Sequence, residues 1–169
     1  MQTSIITRRL LLLAAICFLV IGLDQWTKAW AIATLKDMPT TRLFGGSILL
    51  LYAENSGAWG SMGAGLGNTM RFWILTVLPF LFLGGLSWYT VTSKDLKNYM
   101  VASYCMVIAG GVGNLIDRAL YGYVVDFLWV GIPSGIGTNI FNIADVSIMI
   151  GVITLIITHF TIERKHALS

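Results

Sequence analysis

The sequence predicts an all-α membrane protein of four transmembrane helices, with both termini cytoplasmic and a small folded region outside the membrane. Three observations predict it. Of the 169 residues, 56% are hydrophobic and only 11% are charged, less than half the usual charged share of a soluble protein. The apolar residues gather into four runs, at about 10–33, 72–91, 99–120 and 144–162, each close to the ~20 residues that a helix needs to cross a bilayer. Basic residues mark the ends of the runs. Arg8 and Arg9 precede the first, Lys94 and Lys97 separate the second and third, and Arg164 and Lys165 follow the fourth. The three clusters share one side if both termini are cytoplasmic. The net charge of +3 therefore reads as a topology signal, and nucleic acid is not an expected partner.

The runs and their connections make one polytopic domain, with external segments at 34–71 and 121–143. The first run has Arg8-Arg9 ahead of it and Ala31-Ile32-Ala33 at its end, features shared with a cleaved signal peptide. Asp24 and Lys28 interrupt it, however, and it is longer than a signal core, so it is read as a retained helix. In the first external segment, Gly45-Gly46 signals a turn and the apolar stretch 47–53 suits a β-strand. The glycine-rich stretch 58–70 suggests a flexible or short helical piece on the membrane surface. The connection 121–143 contains no Lys or Arg, as an external loop should, and its glycine-rich part at 131–138 suggests mobility. Cys17 and Cys105 both fall inside apolar runs, where they read as small packing residues rather than a disulfide or metal pair.

The polar residues that remain gather at one depth. Asp24 and Lys28 are four apart and share a helix face. Asp24 lies roughly 22 Å of helical rise beyond Arg9, toward the outer leaflet. Gly110, Asn114, Asp117 and Arg118 form one stripe near the outer end of the third run. Asn142 and Asp145 open the fourth run at its outer end, and Asp126 lies in the external connection leading to it. Each has a simple structural role open to it. Asp24–Lys28 is a pair that eases insertion, the polar stripe can bond to neighbouring helices, and the glycines let helices approach. Asn142 and Asp145 have the spacing of an N-cap and its partner three residues on. Those roles explain the residues singly but not their common leaflet.

A carboxylate in such apolar surroundings is costly and is a functional-site candidate by default. Two that meet form an acid/base pair, because like charges in one apolar site push their proton affinities apart. Zinc-protease and nucleotide-binding signatures are absent from the sequence, and His159 and His166 lie at the opposite end. Ser56, Ser61 and Ser134 have no nearby histidine, although Lys28 is a conceivable base for a serine. Two other classes stay open on the residues alone: a proton or ion pathway through Asp24, Lys28, Asp117, Arg118 and Asp145, and a scaffold whose polar residues only join helices.

Five segments in order then resemble a known family: Asp24-Gln25-Trp26-Thr27-Lys28, Asn55-Ser56-Gly57-Ala58, Gly110-Gly111-Val112-Gly113-Asn114-Leu115-Ile116-Asp117-Arg118, Val124-Val125-Asp126-Phe127 and Phe141-Asn142-Ile143-Ala144-Asp145. Together, on four apolar runs, they resemble bacterial lipoprotein signal peptidases (signal peptidase II). The resemblance implies an aspartic intramembrane endopeptidase of the bacterial inner membrane, active toward the periplasm. Its substrate would be a prolipoprotein carrying a diacylglyceryl cysteine, cut on the amino side of that cysteine. It implies Asp126 and Asp145 as the catalytic dyad. Asp24, Lys28, Asn55, Gly57, Gly110, Asn114, Arg118 and Asn142 would bind substrate or support the site, and the first external segment would form a small β cradle. No metal or organic cofactor is called for; membrane lipid is the surrounding partner, and the chain is expected to act as a monomer. Glu54, and Trp59-Gly60, depart from the family pattern. Asp145, in the first turn of a helix, would favour ionisation, leaving the proton more often on Asp126.

Overall fold

The computed structural model describes residues 2–167 apart from Trp59, Ser61 and Ala64, with side chains from Ser4 to Thr161. The side chains of Trp59, Ser61, Arg164, Lys165 and His166, singled out in the sequence, lie outside the described residues.

The chain runs α1 (Gln2–Leu35), β1 (Thr41–Leu43), a single 3-10 turn (Phe44–Gly46) and β2 (Ile48–Asn55). It continues through α2 (Asn68–Phe72), a π-helical turn (Trp73–Val77), α3 (Leu78–Thr92), α4 (Asn98–Tyr121), β3 (Val124–Val130) and α5 (Ile143–Ala167). Among the described residues, four helical spans are long and apolar enough to cross a membrane: α1, α2–α3 taken together, α4 and α5. At 34 residues, α1 is roughly 51 Å long, more than the hydrocarbon core alone requires. The π turn between α2 and α3 has a local cause. Pro79 has no N–H to offer the carbonyl of Leu75, and its ring crowds that carbonyl, so the helix widens just before it.

The bundle is apolar outside and polar within. Phe18, Phe80 and Phe82 are 80%, 66% and 62% exposed, as side chains facing lipid should be. The central helix is α4, which packs on α5, α1 and α3. Its glycines permit this. A Cβ on Gly110 would stand 2.3 Å from the carbonyl oxygen of Ala144, and one on Gly113 would stand 2.8 Å from Asp24 Oδ2. Any larger residue at either position would push α5 or α1 away.

Three antiparallel strands in the order β1-β2-β3 cap one end of the bundle. Ala53 pairs with Asp126 and Asn55 with Val124, and the register shifts between Leu50 and Ala53. The fold class expected from the sequence is therefore what is found, with its β region built from two external segments rather than one. The stretch 121–143 is not simply a loop, because Val124–Val130 is β3. Nor is its glycine-rich part shapeless. Ile132 N–H donates to Ile136 O at 2.8 Å, and Thr138 N–H donates to Val130 O at 2.8 Å, closing a tight hairpin. Gly131 and Gly137 are needed there because a Cβ on either would strike the Trp129 ring, at 2.5 and 2.4 Å.

Candidate active site

Lys28 is the hub of the interior. Its Nζ lies 2.8 Å from Asp24 Oδ2 and 3.0 Å from Asp117 Oδ2, and it donates to Asn114 Oδ1 at 3.0 Å. Asp24, Lys28 and Asp117 are 0%, 2% and 1% exposed. Charges so buried persist only when they are paired and their remaining lone pairs are bonded. Both aspartates meet the second condition with a backbone N–H. Asp24 Oδ1 accepts from Ala144 N–H at 2.9 Å, and Asp117 Oδ2 accepts from Val125 N–H at 2.9 Å. Gln25 Nε2 donates to Asp117 Oδ1 at 2.9 Å and to Asp24 Oδ2 at 3.2 Å. Ala144 precedes Asp145 and Val125 precedes Asp126. The Lys28 cluster thus grips the backbone immediately ahead of both candidate aspartates.

Asn114 and Asn142 form the next layer. Asn114 Nδ2 donates to Asp145 Oδ1 at 2.8 Å. Asn142 Nδ2 donates to Asp126 Oδ1 at 2.7 Å and to Asn114 Oδ1 at 3.1 Å. At the same time Asn142 Oδ1 accepts from Asp145 N–H at 2.9 Å, and Asn142 N–H donates to Asp145 Oδ2 at 3.2 Å. This is a reciprocal capping pair at the start of α5, and the same asparagine reaches across to Asp126. The N-cap role and the site role of Asn142 and Asp145 coexist.

The other oxygen of Asp126 faces the loop after β2. Asn55 Nδ2 donates to Asp126 Oδ2 at 3.0 Å, and Asn55 Oδ1 accepts from Gly57 N–H at 3.0 Å. Arg118 Nη2 donates to the carbonyl oxygen of Gly57 at 2.9 Å, holding that loop from α4. Arg118 therefore contacts backbone. Asp126 is 2% exposed. Burial above all, and then the neighbouring Asp145, push its carboxyl up to about 7 against the opposing effect of its bonds to Asn55 and Asn142.

Asp24, Lys28, Asn55, Gly57, Asn114, Arg118, Asp126, Asn142 and Asp145 thus meet in one hydrogen-bonded network. Gly110 contributes no polar group and serves as the close-contact point between α4 and α5. Gln25 and Asp117 belong to the network but were not assigned to the site from the sequence. Both were visible as polar residues in apolar runs, and Gln25 adjoins Asp24. Lys28 is engaged by two carboxylates and an amide oxygen, which leaves it no serine to activate. A cavity of about 360 Å³ opens beside the network between Ser56, Arg71, Phe72, Arg118 and Tyr123.

A family model described as signal peptidase (SPase) II, Peptidase_A8, matches residues 16–161. The lipoprotein signal peptidase of Streptococcus thermophilus (strain CNRZ 1066) is 36% identical over 138 residues, 82% of this chain and 85% of its own. That of Chlorobium phaeobacteroides (strain BS1) is 40% identical over 149 residues, covering 82% of this chain and 89% of its own. That of Clostridioides difficile (strain 630) is 35% identical over 150 residues, covering 89% and 95%. Two solved bacterial membrane enzymes share the fold. One, at 2.3 Å by the in meso method, has a TM-score of 0.76 and 30% identity, with 88% of this chain and 87% of that one covered. The other, at 1.9 Å, has a TM-score of 0.72 and 32% identity, with 86% and 90% covered.

Proposed function

Because the chain belongs to the signal peptidase II family of aspartic peptidases, we propose that Asp126 and Asp145 are its catalytic dyad. The substrate is a prolipoprotein carrying a diacylglyceryl cysteine, cut on the amino side of that cysteine. The carrying observation is Asn142, which donates its side-chain amide to Asp126 and its backbone N–H to Asp145, tying two carboxylates from different elements to one residue.

The division of labour follows from the surroundings. Asp126, pushed up to about 7, keeps its proton to far higher pH than an ordinary carboxyl, and its protonated form is the acid. Asp145 stands in the first turn of α5, where the helix dipole favours negative charge, and is the base. It takes a proton from water as the water attacks the scissile carbonyl. Asp126 stabilises the developing oxyanion and then protonates the leaving nitrogen. Asn55, Asn114 and Asn142 fix the carboxyl orientations, Arg118 holds the Asn55–Gly57 turn against Asp126, and Lys28 with Asp24 and Asp117 fixes the backbone beneath.

The dyad lies where α4 ends and α5 begins, beside the β-sheet. The basic residues flanking the spans at the opposite end support an orientation with the dyad at the outer, periplasmic face of the bacterial inner membrane. There the acyl chains of a modified cysteine stay in lipid while its peptide bond reaches the polar layer. An ion pathway would need to continue through the bundle. Among the described residues, the buried polar groups between the Lys28 cluster and the opposite end include Ser103 and Ser147. Their hydroxyls bond to the carbonyls of Tyr99 and Met106, which favours the hydrolase.

The test is cleavage by the purified chain in lipid, offered a diacylglyceryl-modified prolipoprotein beside the unmodified form. The modified form alone should be cut. Asp126→Asn and Asp145→Asn should each lower the rate by about a hundredfold or more with the fold intact. Cleavage surviving both substitutions would remove the dyad.

A further inference from the structure

The end of the bundle away from the dyad holds a second buried cation that the proposed chemistry does not use. Arg9 on α1 is 8% exposed. Its Nη1 donates to the carbonyls of Thr90, at 3.3 Å, and Ser93, and its Nη2 donates to that of Leu96 at 3.0 Å. These bonds fasten α1 to the last turn of α3 and to the turn before α4. They engage three of the five N–H donors of a guanidinium, leaving two. All three partners are neutral carbonyls, and no carboxylate pairs with Arg9 among the described residues. A buried cation without a counter-ion is costly.

A cavity of about 230 Å³ opens beside Arg9. It is lined by Ile5, Ile6 and Arg9 of α1 and by Val91, Thr92, Ser93 and Lys94 at the end of α3. Its walls combine an apolar side, Ile5, Ile6 and Val91, with two cations and two hydroxyls, and no acidic side chain lines it. Arg8 and Lys97 lie exposed at the same end, with Asp95 as the opposing charge, so among the described side chains four cations face one carboxylate. Because the cavity sits where two membrane spans end, it lies at the depth of the lipid phosphates whichever way the chain is inserted.

We infer that this cavity is a binding site for an anionic phospholipid. The phosphate meets the unused Arg9 donors and Lys94, and the first part of an acyl chain lies along Ile5, Ile6 and Val91. A guanidinium suits the task because its planar fork matches phosphate oxygens. The bound lipid supplies a counter-charge to Arg9 at the joint between α1, α3 and α4. It therefore stabilises the bundle without taking part in cleavage, and the inference does not depend on the identity of the dyad.

The experiment equilibrates the full chain in nanodiscs of equal parts phosphatidylglycerol and phosphatidylcholine. The lipid that remains bound after extraction into mild detergent is then measured by native mass spectrometry. The native chain should retain phosphatidylglycerol over phosphatidylcholine by roughly tenfold, the worth of one charge-assisted contact. Lys94→Gln should lower that preference several-fold. Ile6→Phe, which fills the cavity and leaves the charge unchanged, should lower it as well. Lys36→Gln, which removes the same charge at the other end of the bundle, should leave it unchanged. Thermal unfolding should shift upward with phosphatidylglycerol in the native chain and less in the first two variants. A native chain without preference overturns the site. So does an equal loss in Lys36→Gln, which would mean general surface attraction, or full preference in Ile6→Phe. The native-chain and Lys36→Gln arms keep the result decisive even where a cavity variant folds poorly.

Discussion

Asp126→Asn should change the sign of its effect on stability with pH. The Asp126 carboxyl is pushed from its ordinary 3.8 up to about 7, first by burial and then by Asp145, and unfolding returns it to the ordinary range. Below about pH 4 both states hold the proton, and ionisation contributes no difference. Between about 4 and 7 the unfolded chain sheds a proton that the folded chain keeps, so stability falls as pH rises. At about 1.4 kcal/mol per unit over roughly three units, ionisation costs the folded state about 4 kcal/mol by pH 8. Asparagine cannot ionise and escapes this cost. It brings one of its own, because both carboxyl oxygens of Asp126 accept, from Asn142 Nδ2 and Asn55 Nδ2. An amide keeps only one acceptor and turns an N–H₂ toward the other donor, at about 1–3 kcal/mol. The variant should therefore be less stable than the native chain by about 1–3 kcal/mol near pH 4 and more stable by a similar amount near pH 8. Unfolding by sodium dodecyl sulfate titration in mixed micelles, across that pH range, measures the difference directly. A difference independent of pH, or one that grows more unfavourable to the variant as pH rises, would refute the electrostatic account of Asp126.

The same protonation appears in the rate: cleavage should fall above about pH 7 as Asp126 loses its proton, approaching tenfold per pH unit, and a flat profile to pH 9 would contradict the acid role. Lys28→Met leaves Asp24 and Asp117 buried without a counter-ion and should cost roughly 3–5 kcal/mol; adding Asp24→Asn and Asp117→Asn should recover part of the stability but not the cleavage rate, measured by unfolding and turnover on the same preparations. Gly110→Ala places a Cβ 2.3 Å from the Ala144 carbonyl oxygen and should cost about 1–3 kcal/mol, with a loss of turnover larger than its change in melting temperature implies, because Ala144 adjoins Asp145. Arg118→Lys keeps the charge but loses the guanidinium Nη2 that reaches the Gly57 carbonyl, which a shorter ammonium does not replace; turnover should fall about tenfold or more while stability changes little.

The spans were legible because lipid makes composition decisive. A helix that must be apolar on every lipid-facing side announces itself over twenty residues, and its few polar residues then stand out. β3 was not legible on the same terms. Residues 124–130 contain valine, phenylalanine and tryptophan between Gly122 and Gly131, a strand composition. Yet an aspartate in their midst and a hydrophobic partner strand far away in sequence gave no local period to read. The register shift between Leu50 and Ala53 is likewise set by pairing across distant segments. The inward contacts of Arg9 were hidden for a different reason. At the end of an apolar run a basic residue satisfies the charge rule for topology, and nothing in the run shows that its guanidinium turns inward to the carbonyls of Thr90, Ser93 and Leu96.

Asn142 and Asp145 show why one motif carries two readings at once. A helix start has unpaired backbone N–H groups, and an asparagine with a carboxylate three residues on satisfies two of them. That arrangement fixes both side chains by backbone geometry rather than by long flexible contacts. Asn142 still has an amide N–H₂ to spare, and it spends that group on Asp126 of β3 and Asn114 of α4. The helix cap therefore becomes the ruler that sets Asp145 against Asp126. Removing the cap, as in Asn142→Ala, should do more than fray α5: it leaves Asp126 Oδ1 without this donor and Asp145 N–H without its partner. A stability loss of about 1 kcal/mol would be the cap alone. If Asn142 aligns the dyad, turnover must fall far more than that loss implies, and a fall merely in proportion to the destabilisation would show that the asparagine caps a helix and nothing else.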